Sequence, residues 1–472
     1  MGTQQSTLSA RSLALAALLA FLGIALPCRA QCYMRLIDHV SAPAGANRGF
    51  GFPIVLSRDG STMLVGRAAP TLPSDMFVLT STADGWVPQS TTLRTAAGPF
   101  SGLTPIDDFG SAGALSADAS TALVSAPSMN TTGQVFVFTH APTGWSLQAP
   151  PLVPANTTSQ VVFGCACALS ADGNTALIGA PQARTNGQLT GAAYVFTRSG
   201  AAWTQQGGPL PAINPLQAQM GCAVALSADG NTAAVGGIAY GTTGAVFVFT
   251  RSGTTWTEQG AALVPAGGVG SQLYFGFSLG LSDDGNTMAV GAIYDQNQSG
   301  AVYLFTRTGS AWTQRSRLTD TPAGWLGHRL GLSTDGNTLL VAASNGNKAF
   351  VYSRSGNAWT RRGQPILAPP GALQYFGLDV ALSADGHTGF IGSGIPSFNA
   401  FQPTLGAVFR FNLCAPTACA SDFNTSGSLS VYDIFDFLTA WFALDPRANF
   451  NGVDGINEID IFDFLNAWFV GC

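Results

Sequence analysis

The nonapeptide ALSADGNTA stands at Ala168–Ala176 and returns unchanged at Ala225–Ala233. Variants recur along the chain as LSRDGST, LSADAST, LSDDGNT, LSTDGNT and LSADGHT. Each sets a carboxylate near a glycine (Ala119 in the second copy) and usually an amide oxygen, which is also how calcium loops begin. Their aspartates fall at Asp59, Asp118, Asp172, Asp229, Asp284, Asp335 and Asp385, spaced by 50 to 59 residues. A period of that length marks a repeat architecture before it marks a site.

The unit around each turn is similar. In the fourth it reads MGCAVALSADGNTAAVGG, then GAVFVFTRSGTTWTEQGAALVPAG. Four short apolar segments parted by Gly, Asp, Asn and Ser suggest a four-stranded antiparallel meander. In GAVFVFTR, Val246 and Val248 alternate with Phe247 and Phe249, so both faces of that strand are apolar. Sheets packed radially between two neighbours bury both faces, and the expected fold is an all-β seven-bladed propeller.

Tryptophan segments follow the first six turns, at Trp86, Trp145, Trp203, Trp256, Trp312 and Trp359. From the third onward their Thr, Gln, Arg and Glu neighbours suit outer edges, where polar groups discourage stray pairing. The seventh unit stops at GAVFRFNLC without such a strand. The segment CYMRLIDHVSAPAG, before the first unit, is expected to supply it and close the ring. That pairing sets Cys32 beside Cys414, and a disulfide between them is expected.

Composition agrees with a turn-rich, core-forming chain. Of 472 residues 46% are apolar and only 10% charged, with 57 glycines, 26 prolines and a net charge of −5. Lys348 is the sole lysine and no basic run is long enough to hold nucleic acid. Arg11 precedes the apolar run Leu13–Leu26, then Pro27, Cys28, Arg29 and Ala30, which reads as an export signal over residues 1–30. The run is too short to span a bilayer comfortably. Ala25-Leu26-Pro27 fits a lipoprotein anchor at Cys28 poorly. No second span follows, so the mature chain is expected outside the cell or at its surface, with no membrane span.

The repeats resemble FG-GAP repeats, which build the propeller of integrin alpha subunits. The residues that carry this are Phe163-Gly164, Phe275-Gly276 and Phe376-Gly377, with Gly179-Ala180-Pro181 the fullest GAP match and Gly291-Ala292-Ile293 a weaker one. The resemblance covers about Cys32 to Cys414 and implies a propeller over 31–414 that binds a protein or glycan ligand in adhesion. Calcium-binding integrin blades carry a D-x-D-x-D-G loop between the GAP strand and the next. Here the corresponding loops read YDQNQSG at Tyr294–Gly300 and QARTNGQLTG at Gln182–Gly191, without those carboxylates. Nor do the repeated turns suit calcium, since a calcium loop needs oxygens at alternate positions and an acid near position 12. After Asp172, Asp229 and Asp335 no such acid follows, and a D-G hairpin turn needs only what is present.

The tail, 415–472, differs. Asp422–Asp433 reads DFNTSGSLSVYD, with Asp422, Asn424 and Ser426 at positions 1, 3 and 5, Gly427 at 6 and Asp433 at 12. The Ser428 carbonyl would supply position 7, which completes EF-hand ligand chemistry for calcium. The following VYDIFDFLTAWF has apolar residues at helical spacing. DIFDFLTAWF at Asp433–Phe442 returns as DIFDFLNAWF at Asp460–Phe469. In the second loop, NFNGVDGINEID, Asn449 and Asn451 take positions 1 and 3, and Asp460 takes 12. Val453 falls at position 5 with Asp454 displaced by one, so calcium is expected to bind more weakly there.

Two tandem loop–helix units closed by Asp resemble a dockerin domain over Ala420 to Cys472. The resemblance implies a calcium-ordered helix pair that docks to a cohesin-like or cell-surface partner. The ending FLNAWFVGC also resembles the C-terminal segments of secreted planctomycete proteins. Cys419 and Cys472 bracket the module, and a disulfide clamping its ends is expected. Phe435, Trp441, Phe462 and Trp468 are more aromatics than so small a module can bury.

No nucleophile elbow, zinc-protease helix or phosphate-cradling loop is present. His39, His140, His328 and His387 lie at different points of different units, and Glu258 is the only glutamate of the propeller region. Cys165, Cys167 and Cys222 fall in equivalent strands of neighbouring units and are expected as small buried thiols. The expected function is a secreted, non-catalytic binding or adhesion protein. The alternatives are a polysaccharide-active enzyme with its acids in propeller loops, or a tail that acts as an export sorting signal.

Overall fold

A computed structural model gives the structure; it describes residues 26–27, 34–41, 50–67, 76–82, 85–93, 108–155, 161–185, 187–212, 218–369, 375–394, 406–413, 423, 428–429, 431–443, 445, 448, 450 and 456–470. One compact unit spans Asp38–Arg361 and Pro365–Phe411, and the tail belongs to another.

Among the described strands are seven four-stranded antiparallel sheets, one for each turn, besides two two-stranded ones. Blade four is typical. Its strands Met220–Leu226, Thr232–Gly237, Ala245–Ser252 and Thr255–Glu258 lie side by side in chain order, inner edge first. Its third strand shows why the blades must stack. Phe247 and Phe249 enter a core with Leu177 and Val195 of blade three, whereas Val246 and Val248 enter another with Val290 and Tyr303 of blade five. Alternate side chains of one strand thus serve two interfaces, as the two-faced apolar pattern required.

Blade seven runs outward as Val380–Leu382, Thr388–Ser393, Ala407–Asn412 and then Arg35–Ser41. The strand before the first repeat therefore completes the last blade. Arg410 holds Asp38 through Nε–Oδ1 at 2.9 Å and Nη2–Oδ2 at 2.5 Å across this closure, and His39 stacks on Phe409 at 5.7 Å. Cys32 and Cys414, whose pairing the sequence suggested, lie outside the described residues, as do Cys419 and Cys472.

The FG and GAP glycines explain their recurrence by where they meet. A Cβ on Gly179, in the second strand of blade three, would lie 2.0 Å from the carbonyl oxygen of Gly221, the inner-strand glycine of blade four. Gly392 of blade seven meets Gly51 of blade one in the same way, at 2.1 Å. Backbone touches backbone at these seams, and only glycine leaves room. At the opposite ends of the inner strands, backbone bonds link turn to turn: Ala117 N to Ala171 O, Ala171 N to Ala228 O, Ala228 N to Asp283 O and Asp283 N to Thr334 O, each 2.9–3.0 Å.

The described residues of the tail include two helices, Val431–Phe442 and Glu458–Val470, in positions related by the sequence duplication. Equivalent residues Phe437 and Phe464 stack at 4.1 Å with ring planes 2° apart. Phe423 and Phe450, also equivalent, pack edge-on against this pair. The duplication is thus expressed as a two-fold aromatic core.

Candidate functional site

The conspicuous oxygens of the repeated turns are consumed locally. Asp172 Oδ1 accepts from the Ser170 hydroxyl at 2.5 Å and the Asn174 backbone N–H at 3.0 Å, while Oδ2 accepts from the Asn174 amide at 3.0 Å. Asp229 repeats the set at 2.5, 2.9 and 2.9 Å. Partial burial pulls the Asp172 carboxyl upward, but the Ser170 and Asn174 donors outweigh it and hold the group below the ordinary aspartate range. These are turn-forming contacts. The turn glycine also packs: a Cβ on Gly230 would meet Thr175 at 3.1 Å and Ser170 at 3.2 Å in the preceding blade.

In blades three to five an arginine at the end of the third strand ties neighbouring blades together, through partners that no single repeat reveals. Arg251 Nε donates to Asn231 Oδ1 at 3.0 Å and Nη1 to Thr175 Oγ1 of the preceding blade at 3.2 Å, with Trp256 beneath it at 5.5 Å. Arg198 and Arg307 repeat the arrangement with Asn174, Thr121 and Trp203, and with Asn286, Thr232 and Trp312.

Asp295, in the loop Tyr294–Gly300, is fully buried and turned inward. It accepts from Val269 N at 2.9 Å, Tyr303 Oη at 2.5 Å and Arg317 Nη2 at 2.8 Å. Burial raises this carboxyl, and the Arg317, Tyr303 and Val269 donors bring it below its ordinary value. Its oxygens therefore serve the blade interior.

The inner strands enclose an axial cavity of about 310 Å³, lined by residues from all seven blades. Two charged residues stand on its wall, Arg329 of blade six and Asp379 of blade seven, with Arg329 Nε 3.7 Å from Asp379 Oδ1. Asp379 accepts from Ile54 N of blade one at 2.7 Å and from Val380 N at 2.9 Å. Burial pushes this carboxyl up, against the pull of Arg329. The sequence marks both residues only by their place, two beyond the FG glycine, where other blades carry Pro, Ala or Ser.

Cys165, Cys167 and Cys222 line the same cavity and are free thiols. Cys165 is exposed there and the other two partly so, which corrects the expectation of small buried thiols. In blade four the strand register shifts between Met220 and Val224, at a bulge beside Gly221 that carries Cys222. Burial still raises all three thiols, Cys222 to about 12, so they are neutral at pH 7. No group of three or more His, Cys, Asp and Glu among the described residues is placed to hold a metal ion.

The histidines do not converge. His39 stacks on Phe409, His140 on Trp145, His328 lies beside Phe277 and Trp325, and His387 approaches Asp385 in a turn.

In the tail, Asp433 and Asp460 are both fully buried in the first turns of their helices. Asp460 Oδ2 accepts from Asn457 N at 2.9 Å, as an acid at the third helical position caps a helix start. Asp422, Asn424, Ser426, Asn449, Asn451 and Asp454 lie outside the described residues, and of Ser428 only the backbone strand is described. Phe435 and Phe462 are exposed as expected, joined by Tyr432 and Phe442. Trp441 instead packs on the aromatic core and donates from Nε1 to Asn457 O at 3.0 Å. The side chain of Trp468 lies outside the described residues.

Comparisons with known proteins bear on the architecture. The FG-GAP repeat family matches residues 145–196 and 256–305. The chain is similar to the β-propeller domain of Cps50 (Swd1) from Myceliophteria thermophila, at 10% identity and a TM-score of 0.55 over 81% of this chain and 100% of that one. It is also similar to hydrazine synthase from Kuenenia stuttgartiensis, at 12% identity and a TM-score of 0.49 over 78% and 97%. No curated protein matches significantly. The chain thus carries FG-GAP repeats on a seven-bladed propeller, and no helix among its described residues is long and apolar enough to cross a membrane.

Proposed function

We propose that this is an exported, non-catalytic binding protein, whose propeller presents loops to a protein or glycan ligand and whose tail docks it to a surface or partner. The exposed aromatics of the tail carry this reading. Its helices bury Phe437 and Phe464 completely yet leave Tyr432, Phe435, Phe442 and Phe462 exposed at 68, 58, 76 and 42%. Four exposed aromatics on so small a unit suit a partner's surface.

Calcium would order the first tail loop through Asp422, Asn424, Ser426, the Ser428 carbonyl and Asp433. The second would use Asn449, Asn451, Asp454 and Asp460 more weakly. The burial of Asp433 and Asp460 at matching helix starts fits the closing ligand of each loop, although the N-cap bond of Asp460 also gives that residue a structural role.

The test is retention of the full-length mature chain on the surface of the producing cells, in calcium and in chelator. Retention should require calcium and fall at least about tenfold for the Phe435→Ser, Phe442→Ser double variant. Equal retention of the variant, or none of the wild type, would count against docking by the tail.

A further inference from the structure

The axial cavity lies in the propeller unit and shares no residue with the tail, so its chemistry is independent of docking. Its two sides differ. Blades two, three and four give it Ala112, Ala166 and Ala223 together with the thiols, and these small side chains leave the room. Across from them stand Phe52, Phe277 and Arg329. A volume of about 310 Å³ falls at the lower end of cavities that take small molecules, roughly 300–1,000 Å³.

Arg329 is underused. Its guanidinium carbon lies 5.1 Å from the Phe52 ring centre and 5.7 Å from that of Phe277, so two aromatic faces hold it. Nη1 donates to the His328 carbonyl at 2.9 Å, and Nε stands 3.7 Å from Asp379, beyond hydrogen-bond length. Nη2 has no partner among the described residues. Asp379 is the one carboxylate on the described wall, and it is occupied by the Ile54 and Val380 N–H groups. With neutral thiols opposite, the cavity offers one incompletely paired cation, and Asp379 beside it is the only other charged side chain on the described wall.

We propose that the axial cavity binds a small organic carboxylate, its oxygens on the free edge of Arg329 and its apolar body against Ala166 and Ala223 beside Cys165. A guanidinium edge matches a carboxylate in shape as well as charge. An inorganic dianion would meet the same edge but leave the alanine wall uncovered and confront Asp379.

Cys165, exposed on this wall, reports on the site. Iodoacetate is itself a small carboxylate, and iodoacetamide is its uncharged counterpart. With either, the thiolate sulfur attacks the methylene carbon, forming C–S as C–I breaks and iodide leaves. The ratio of iodoacetate to iodoacetamide labelling at Cys165 is read by peptide mass spectrometry on the full chain, folded and urea-unfolded. Folding should raise the ratio about tenfold, Arg329→Gln should remove the rise and Arg329→Lys should keep part of it. An unchanged ratio, or a rise that survives Arg329→Gln, overturns the proposal. Calorimetry covers the case in which Cys165 reacts with neither reagent. Benzoate should bind the wild type saturably and Arg329→Gln not at all; no saturable benzoate binding, or tighter binding of inorganic phosphate, also overturns it.

Discussion

Gly230 and Gly60 hold the same place in their turns, with φ of +68° and +69°, yet their surroundings differ. A Cβ on Gly60 meets nothing within 4 Å, whereas one on Gly230 meets Thr175 and Ser170 of the preceding blade. Gly60→Ala should therefore cost about 1 kcal/mol from the left-handed backbone alone, and Gly230→Ala about 2–3 kcal/mol. Urea denaturation measures both; equal losses would mean that the turn glycine has no part in blade packing. His328 gives a second residue-scale expectation. Burial between Phe277 and Trp325, helped by the nearby Arg329 charge and opposed by a hydrogen bond with the Gly377 backbone, lowers its pKa from 6.5 to about 3. Between those values the unfolded chain binds the extra proton, so stability is full above about pH 6.5 and declines as pH falls. By about pH 4.5 the loss should reach roughly 2–3 kcal/mol, and His328→Phe should flatten the profile of unfolding free energy across that window. The turn role of the D-G residues was legible, because a hairpin needs only local chemistry. The burial of His328 was not, since an adjacent blade supplies Phe277.

In blades three to five, neighbouring blades are joined at the element scale by the arginine near the end of the third strand. Arg251 spans Asn231 of its own blade and Thr175 of the preceding one, and its planar fork makes both bonds while lying over Trp256. A lysine ends in a single ammonium and cannot reproduce that geometry. Arg251→Lys should therefore cost about 1–2 kcal/mol in urea denaturation, and a loss under a few tenths would remove the latch from the account. FTRSG and FTRTG are plain in the sequence, but Thr175 stands 76 residues from Arg251 and belongs to another unit. A repeat shows what each blade contains and hides which neighbour it holds. The strand Ala245–Ser252 shows the legible side of this scale, because its two apolar faces demanded a blade on each side.

The whole molecule depends on closure, and here the missing seventh Trp strand was an effective clue. Arg35–Ser41 takes the empty outer place in blade seven, and Arg410 pairs with Asp38. A chain beginning at residue 42 should expose the edge of Ala407–Asn412, unfold roughly 10 °C lower and self-associate. An unchanged melting temperature would make the outer strand dispensable. The axial cavity was not legible in any one unit, because Arg329, Asp379, Cys165 and Cys222 come together only when inner strands from several blades converge. The central claim concerns the oxygen-rich motifs. Those of the propeller are turns whose carboxylates are already hydrogen-bonded, and the proposed calcium chemistry resides in the tail. Calorimetric titration of the full-length mature chain with calcium tests this most directly. The account predicts one tight equivalent that Asp433→Ala abolishes, with at most one weaker equivalent dependent on Asp460. More equivalents than the two tail loops can hold, or tight binding that survives Asp433→Ala, would contradict it.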